Sequence, residues 1–118
     1  MKKIFFYSYP KCSTCIKAKR WLDHNNINYQ FLDIVKEPPP KKSLELALIQ
    51  FSSDKKKIFN TRGKSFKLIN FDIKELSNER IIELLSNDGK LIKRPFLITP
   101  GNQCLVGFNE LEYSVNFK

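Results

Sequence analysis

The chain has 118 residues, 42% of them hydrophobic, and a formal net charge of +9. This length suits one domain with a real core and leaves no room for a second, and no apolar run approaches the length of a membrane span. Lysines are spread along the chain in short clusters. This distribution is more typical of a solvated surface than of a nucleic-acid-binding surface, so we expect no direct DNA binding. Because the net charge is positive, we expect partners that are anionic.

The first part of the chain combines a strand, a cysteine pair and a helix. A short apolar run predicts a buried strand over residues 3–7, Cys12 and Cys15 follow in the spacing C-x-x-C, and a helical pattern begins at Thr14. Cys12 therefore lies at the first turn of a helix, where unpaired N–H groups and the helix dipole stabilise an anion. This position favours the thiolate of Cys12 and predicts a nucleophile. Cys15, one turn further on, is close enough to attack a sulfur bonded to Cys12.

The C-x-x-C pair allows three interpretations. A zinc site usually needs four ligands, and the only further candidates are Cys104 and His24, neither in a paired spacing. In a second interpretation the pair is structural and Cys15 simply packs. The order strand, C-x-x-C, helix favours the third, which is redox or thiol-transfer chemistry. We therefore expect no bound metal, and we expect Cys104 to be a small buried apolar residue of a strand.

The middle of the chain is predicted to be helical. Residues 27–34 alternate in polarity and predict a second strand, parallel to the first through a right-handed crossover. Pro38, Pro39 and Pro40 then mark a boundary. From residue 41 to about residue 86 the pattern is helical, with a loop or cap at residues 60–63, with Ser77 as the predicted N-cap of the last helix and with Gly89 at that helix's C-terminal end.

The end of the chain completes the predicted fold. Residues 96–98 and 103–106 predict an antiparallel hairpin across a turn at 99–102, and Asn109 is the predicted N-cap of a final helix. The order β-α-β, helices, β-β-α predicts an α/β fold with a mixed sheet, thioredoxin-like or glutaredoxin-like, with an inserted helical subdomain. We expect a single domain over residues 1–118, with its core in 1–37 and 90–118 and the helical insertion in 38–89.

Five segments together carry a family resemblance. They are P-K-C-S-T-C at 10–15, A-K-R-W-L at 18–22, F-N-T-R-G at 59–63, L-I-K-R-P at 91–95 and V-G-F at 106–108. With this spacing, the sequence resembles the arsenate reductase (ArsC)-like family of the thioredoxin-like superfamily over nearly its whole length. The Spx/MgsR type and the small YffB-like proteins are the subgroups that it resembles most.

The resemblance implies roles for particular residues. Cys12 matches the family's nucleophilic cysteine, and Arg62 and Arg94 match basic residues that line the anion pocket of the reductases. Pro95 matches a cis-proline that lies opposite the active-site cysteine. The alternatives are a surface ion pair for each arginine, which would be worth little energetically, and a trans proline at the start of a strand for Pro95.

The chain also departs from the family's arsenate reductases. Those enzymes have histidine at the position of Ser8, serine at Cys15 and arginine at Ile16 and Gly107. The absence of these groups implies that arsenate reduction is weak or absent. Spx-type regulators share the C-x-x-C pair but continue beyond the position of Lys118, whereas the YffB-like group commonly lacks the second cysteine.

Two functions follow from these features. In the first, the protein is an oxidoreductase: Cys12 attacks a disulfide, Cys15 resolves the mixed disulfide, and Arg62 and Arg94 hold an anionic substrate or a carboxylate of glutathione, with glutathione or glutaredoxin as the partner. In the alternative, it is a redox-sensing regulator of the Spx type, whose Cys12–Cys15 disulfide changes a surface that docks on the RNA polymerase alpha subunit. We favour the enzyme. We expect a monomer with no bound cofactor. We also expect the protein to be cytoplasmic, because three cysteines without a signal peptide indicate a reducing compartment.

Overall fold

A four-stranded sheet forms the centre of the protein. A computed structural model describes residues 3–70 and 72–118. The strand order is β2-β1-β3-β4, with β1 parallel to β2 and antiparallel to β3, and with β3 antiparallel to β4. This mixed sheet confirms the predicted fold class. The strands are β1 (Phe5–Ser8), β2 (Gln30–Asp33), β3 (Phe96–Ile98) and β4 (Cys104–Val106).

The helices of the described residues surround this sheet, and none of them is long and apolar enough to cross a membrane. The helical pattern predicted over residues 41–86 is confirmed in the helices Lys41–Gln50 and Asn78–Asn87 and in the break at residues 60–63, but 3₁₀ turns at Lys55–Ile58 and Ile73–Glu75 interrupt it further. At the second of these turns Asp72 accepts the backbone N–H two residues on, as Asp88 does at the 3₁₀ turn that follows the segment. Such local bonds compete with the helix. The helices are α1 (Ser13–His24), α2 (Lys41–Gln50), α3 (Lys64–Lys67), α4 (Asn78–Asn87) and α5 (Glu110–Phe117).

The two faces of the sheet have different partners, because successive strand residues point to opposite sides. One face packs against α1 and α5, in a cluster formed by Phe6, Leu97, Leu105, Ala18, Leu22 and Tyr113. The other face packs against the helical segment that follows β2. This larger cluster includes Tyr7, Phe96, Ile98 and Cys104 from the sheet, and Leu44, Leu48, Ile58, Ile81, Leu85 and Ile92 from that segment.

The helix signals in the sequence are confirmed in two cases and confirmed only in position in a third. The side chains of Ser77 and Asn109 each accept the backbone N–H three residues on, at 3.1 and 2.9 Å, as expected of N-caps. Gly89 directly follows Asp88, the C-cap residue of α4, as the sequence predicted, but its φ is not positive and it begins a 3₁₀ turn. Gly89 instead packs against the chain after β2, where a Cβ on it would lie 1.9 Å from the carbonyl oxygen of Ile34. The glycine is required by this close approach.

A side chain of α2 binds the outer edge of β4. Gln50 Nε2 donates to the carbonyl oxygen of Cys104 at 3.0 Å, and Gln50 Oε1 accepts the backbone N–H of Cys104 at 2.7 Å. One amide therefore satisfies both backbone groups of a residue in the edge strand. The contact also fixes α2 against the sheet.

Candidate active site

Cys12 is the N-cap of α1. Between β1 and α1 the chain makes a tight turn, in which the N–H of Cys12 donates to the carbonyl oxygen of Tyr9 at 3.1 Å. Cys12 itself has extended backbone angles, and its Sγ accepts the N–H of Cys15 at 3.3 Å. The half-buried thiol is thus held at the positive end of a twelve-residue helix. This is the placement that the sequence predicted for a nucleophile.

Cys15 lies behind Cys12 on the buried face of α1 and is 1% exposed. The pKa of Cys15 is raised to about 11, mainly by burial and also by the neighbouring Cys12, while the hydroxyl of Ser8 and the backbone of Tyr9 act in the opposite direction. All three cysteines are free thiols. The pair therefore combines an accessible sulfur with a shielded sulfur that is protonated at neutral pH.

Cys104 is separated from this pair by the sheet. It belongs to the larger cluster, on the face opposite α1, and its thiol donates to the carbonyl oxygen of Ser43 at 3.6 Å. Cys104 pairs with Ile98, which in turn pairs with Phe5 at the start of β1. Cys12 instead follows the opposite end of β1. Burial raises the pKa of Cys104 to about 12. The prediction of a small buried apolar residue agrees with this position.

Arg94 and Pro95 lie together at the start of β3. The Arg94–Pro95 peptide bond is cis, as the resemblance implied. The Arg94 guanidinium carbon lies 4.7 Å from the centroid of the Tyr9 ring, a distance at which a cation and an aromatic face attract each other. Because Tyr9 belongs to the turn before Cys12, this contact brings Arg94 towards the cysteine pair.

Arg94 also lines a small basic pocket. Its volume is about 280 Å³, and two further cations, Lys64 and Lys90, contribute to its wall. The remaining lining residues are Tyr9, Asn60, Gly63 and Ser65. Three cations and several hydrogen-bonding groups around one cavity suit an anionic group, because only such contacts replace the hydration that an anion loses.

Arg62 is placed differently from Arg94. It is exposed, on the loop between Asn60 and Gly63, and it is not among the residues that line the basic pocket. Cys12, Cys15, Arg94 and Pro95 thus lie at the same end of the sheet, where β1 ends and β3 begins. Arg62 lies outside the lining of the basic pocket. Its role in anion binding stays a prediction.

Sequence reasoning missed several residues of this region. Lys64 and Lys90 were part of a scattered charge excess, and only the tertiary fold places them beside Arg94. Ser8 was noted only as a departure from the family, yet it is buried and faces Cys15.

A wider groove of about 810 Å³ runs elsewhere, between α1 and the start of α5, and contains none of the predicted site residues. The described residues hold no group of three or more His, Cys, Asp or Glu side chains that could bind a metal ion.

A strand, a C-x-x-C pair at the start of the next helix, and a closing hairpin and helix define a thioredoxin-like protein. The chain belongs to the ArsC family, which matches residues 7–116. YusI of Bacillus subtilis (strain 168), an uncharacterized protein, is 40% identical over 95% of this chain and 96% of its own length. The global transcriptional regulator Spx of Lactiplantibacillus plantarum is 31% identical over 92% of this chain and 82% of its own length. The structure of a possible arsenate reductase from Streptococcus mutans UA159 matches with a TM-score of 0.89 and 34% identity, over 99% of this chain and 100% of that one. The family resemblance inferred from the sequence is confirmed.

Proposed function

We propose that the protein is a small cytoplasmic thiol-disulfide oxidoreductase with Cys12 as its nucleophile. The observation that carries the proposal is the asymmetry of the cysteine pair: Cys12 is half-buried, and its sulfur accepts a helix N–H at 3.3 Å, whereas Cys15 is 1% exposed. A thiolate at a helix N-terminus is the reactive form of a cysteine. A second thiol one turn away can resolve the adduct that this thiolate forms.

The reaction has two steps. The thiolate of Cys12 attacks one sulfur of a disulfide substrate, forms a mixed disulfide, and releases the other half as a thiol that takes up a proton. Cys15 then attacks the Cys12 sulfur, which yields the Cys12–Cys15 disulfide and releases the second half as a thiol. Two equivalents of glutathione, or a reduced glutaredoxin, return the pair to its dithiol form. No bound cofactor is needed, because thiols carry all the electrons.

The basic pocket supplies the binding energy for an anionic substrate. Arg94, Lys64 and Lys90 would receive a carboxylate of glutathione or of a glutathione adduct. Arg62, on the adjoining exposed loop, would add long-range attraction, and Pro95 would border the site at the start of β3. The net charge of +9 favours the approach of such anions as well.

Weak or absent arsenate reduction is part of the proposal. A multiply charged oxyanion needs several donors that converge on one point close to the nucleophile. Ile16, at a position where the family's arsenate reductases have arginine, is an exposed apolar residue here. Gly107, at another such position, has no side chain. A disulfide needs less, namely a thiolate and one anchoring cation.

Mass spectrometry of the thiols tests the proposal. After incubation with oxidised glutathione, we expect the wild type to form the Cys12–Cys15 disulfide, the Cys15→Ser variant to stop at glutathionylated Cys12, and the Cys12→Ser variant to remain unmodified. The Cys104→Ser variant is the control and should behave as the wild type does. A Cys12 that stays reduced under these conditions would refute the proposal.

The pocket can be tested separately. Arg94→Gln should slow attack on oxidised glutathione about tenfold, since one charge-assisted contact is lost, and should leave attack on the neutral disulfide of 2-mercaptoethanol unchanged. Arg80→Gln is the matched control, because Arg80 pairs with Glu83 on the exposed face of α4. Equal slowing with both disulfides would assign Arg94 a structural role instead.

A regulator of the Spx type is the second candidate. It is favoured by the identity of 31% to the global transcriptional regulator Spx over 92% of this chain, together with the C-x-x-C pair. Here the Cys12–Cys15 disulfide would alter a surface that docks on the RNA polymerase alpha subunit. Binding of that subunit that differs between the reduced and oxidised forms, without measurable disulfide turnover, would favour the regulator.

A further inference from the structure

A second basic pocket adjoins the one that Arg94 lines. Its volume is about 430 Å³, and its cations are Lys56, Lys57 and Lys93. Asp54 is the one acid among the described residues that line it, and the other lining residues are Phe59, Thr61 and Phe66. Within residues 3–70 and 72–118, none of the three lysines forms a salt bridge. Their ammonium groups are therefore available to a partner.

The two pockets lie on opposite sides of one paired segment. Phe59 and Ile92 form an antiparallel bridge, and successive residues of an extended segment point to opposite sides. Lys93 accordingly lines the second pocket, while Arg94, the next residue, lines the first. The exposed Arg62 belongs to the loop after Phe59, which contributes residues to both pockets. The two pockets and Arg62 therefore form one surface, which we call the basic surface.

The basic surface carries most of the protein's net charge. Its seven cations are Lys56, Lys57, Arg62, Lys64, Lys90, Lys93 and Arg94, and Asp54 is the one acid among the described residues of its two pockets. Seven cations against one acid leave a net +6 here, out of +9 for the whole chain. The excess that looks scattered in the sequence is thus concentrated by the fold, and attraction for an anion is strongest on this surface.

The second pocket is fixed to the end of the sheet that carries Cys12. The stem of Lys93 crosses Gly107, where an added Cβ would lie 3.0 Å from Lys93 Cε. The N–H of Gly107 donates to the carbonyl oxygen of Pro95 at 2.8 Å. Pro95 directly precedes β3, at the end of the sheet where β1 leads into the turn before Cys12. A partner held on the basic surface is therefore close to the nucleophile.

The aromatic rings of the two pockets are already covered. Phe59 is 1% exposed, and Phe66 packs edge-on against it, with centroids 5.8 Å apart. Lys56 Nζ lies over the ring of Phe66, 6.0 Å from its centroid, and Arg94 lies over Tyr9 at 4.7 Å. Proteins that bind single-stranded nucleic acid stack its bases on aromatic rings, which these rings do not offer. Carboxylates need only cations and hydrogen-bond donors, so the surface suits an acidic polypeptide.

We propose that the basic surface docks an acidic segment of a protein substrate beside the disulfide that Cys12 attacks. The inference rests on the proposed oxidoreductase function and names its substrate class, proteins with Asp or Glu residues near a disulfide. Two pockets on either side of Arg62 favour an extended chain over one small anion, because each pocket can receive a separate carboxylate. In the reaction, Cys12 forms a bond to one substrate sulfur, and the other sulfur leaves as a thiolate that takes up a proton.

A binding measurement tests the surface without any turnover. The probe is a fluorescein-labelled oligoglutamate of about eight residues, which is about 26 Å long when extended. Its fluorescence anisotropy is followed as reduced protein is added at physiological salt. Lys57→Gln/Lys93→Gln removes charge from the second pocket, and Arg94→Gln removes charge from the first. Lys41→Gln/Lys42→Gln is the matched control, since it removes two exposed charges of α2 that line neither pocket.

The proposal predicts which variants lose affinity. An exposed ion pair contributes about threefold, so Lys57→Gln/Lys93→Gln should weaken oligoglutamate binding about tenfold and Arg94→Gln about threefold. The control should change it less than about twofold, because salt screens distant charges. Equal weakening by the control, or no weakening by Lys57→Gln/Lys93→Gln, would overturn the inference. So would a single-stranded oligodeoxynucleotide of equal charge that binds more tightly and loses affinity in the same variants.

A kinetic measurement connects the basic surface with Cys12. Two peptides carry one cysteine as a disulfide with 2-mercaptoethanol, flanked by glutamates in one peptide and by glutamines in the other. The wild type should attack the glutamate peptide about tenfold faster, and Lys57→Gln/Lys93→Gln should lose most of this preference. Equal rates with the two peptides would overturn the inference. Attack on neither peptide would refute the proposed function instead, and the anisotropy measurement would still decide whether the surface binds acidic chains.

Discussion

Iodoacetamide at neutral pH should label one of the three thiols, Cys12, in the folded protein. The reason lies in the environment of the other two, since burial raises the pKa of Cys15 to about 11 and that of Cys104 to about 12. Alkylation requires the thiolate. Relative to an ordinary thiol with a pKa of about 8.5, thiolate at pH 7 is about 300-fold scarcer at Cys15 and about 3,000-fold scarcer at Cys104.

The loss of alkylation rate is smaller than the loss of thiolate, because a more basic thiolate is a better nucleophile. With a Brønsted coefficient of about 0.45, the gain is about 13-fold for Cys15 and about 40-fold for Cys104. The net reaction rates are then about 25-fold and about 80-fold below that of an ordinary thiol. Exposures of 1% and 2% reduce both rates further, since the reagent reaches these sulfurs only when the structure opens.

Timed quenching followed by peptide mass spectrometry measures the three rates side by side. The protein unfolded in urea serves as the reference, in which all three cysteines should react alike. The Cys12→Ser variant should lose the label without transferring it to Cys15. If Cys15 or Cys104 in the folded wild type reacts within fivefold of Cys12, the assignment of Cys12 as the accessible nucleophile is wrong.

Three further predictions concern oxidation, packing and substrate choice. Mild oxidation should join Cys12 to Cys15 and leave Cys104 free, which peptide mapping decides, with a bridge to Cys104 as the contrary result. In urea denaturation, Gly89→Ala should lower the free energy of unfolding by about 3 kcal/mol or more, because its Cβ would overlap a backbone oxygen at 1.9 Å. Gly101→Ala is the control: its Cβ meets nothing closer than 3.9 Å, and its free energy of unfolding should change by less than about 0.5 kcal/mol. Arsenate should turn over far more slowly than a small mixed disulfide in an assay coupled to glutathione and glutaredoxin, and comparable rates would contradict our account of the missing basic residues.

Local patterns in the sequence were sufficient for the elements around the cysteine pair. The apolar run before the C-x-x-C, the caps at Ser77 and Asn109, and the turn at residues 99–102 each act through neighbours only a few positions away. Their physical causes are hydrogen bonds and backbone preferences within one turn, so a single sequence contains them. The parallel pairing of β1 with β2 followed from the crossover rule, and the antiparallel pairing of β3 with β4 from the short hairpin.

Those local patterns could not predict contacts between segments that are distant in the sequence. Lys64 and Lys90 join Arg94 in one pocket because the helical segment folds back on the sheet, and neither lysine differs locally from other surface lysines. The use of Gly89 is similar, since the need for a bare Cα arises from Ile34, far away in the chain.

The bonds between Gln50 and Cys104 bear on how copies of this protein can associate. An exposed strand edge recruits further strands, and a sheet with two open edges can grow without limit into a fibre. At β4 the amide of Gln50 takes the place of an incoming strand, because it already holds the N–H and the carbonyl of Cys104. Strand pairing between copies is thereby directed to β2, the opposite edge of the sheet. Two molecules that paired through β2 would each present a blocked outer edge, and the assembly would close at two copies.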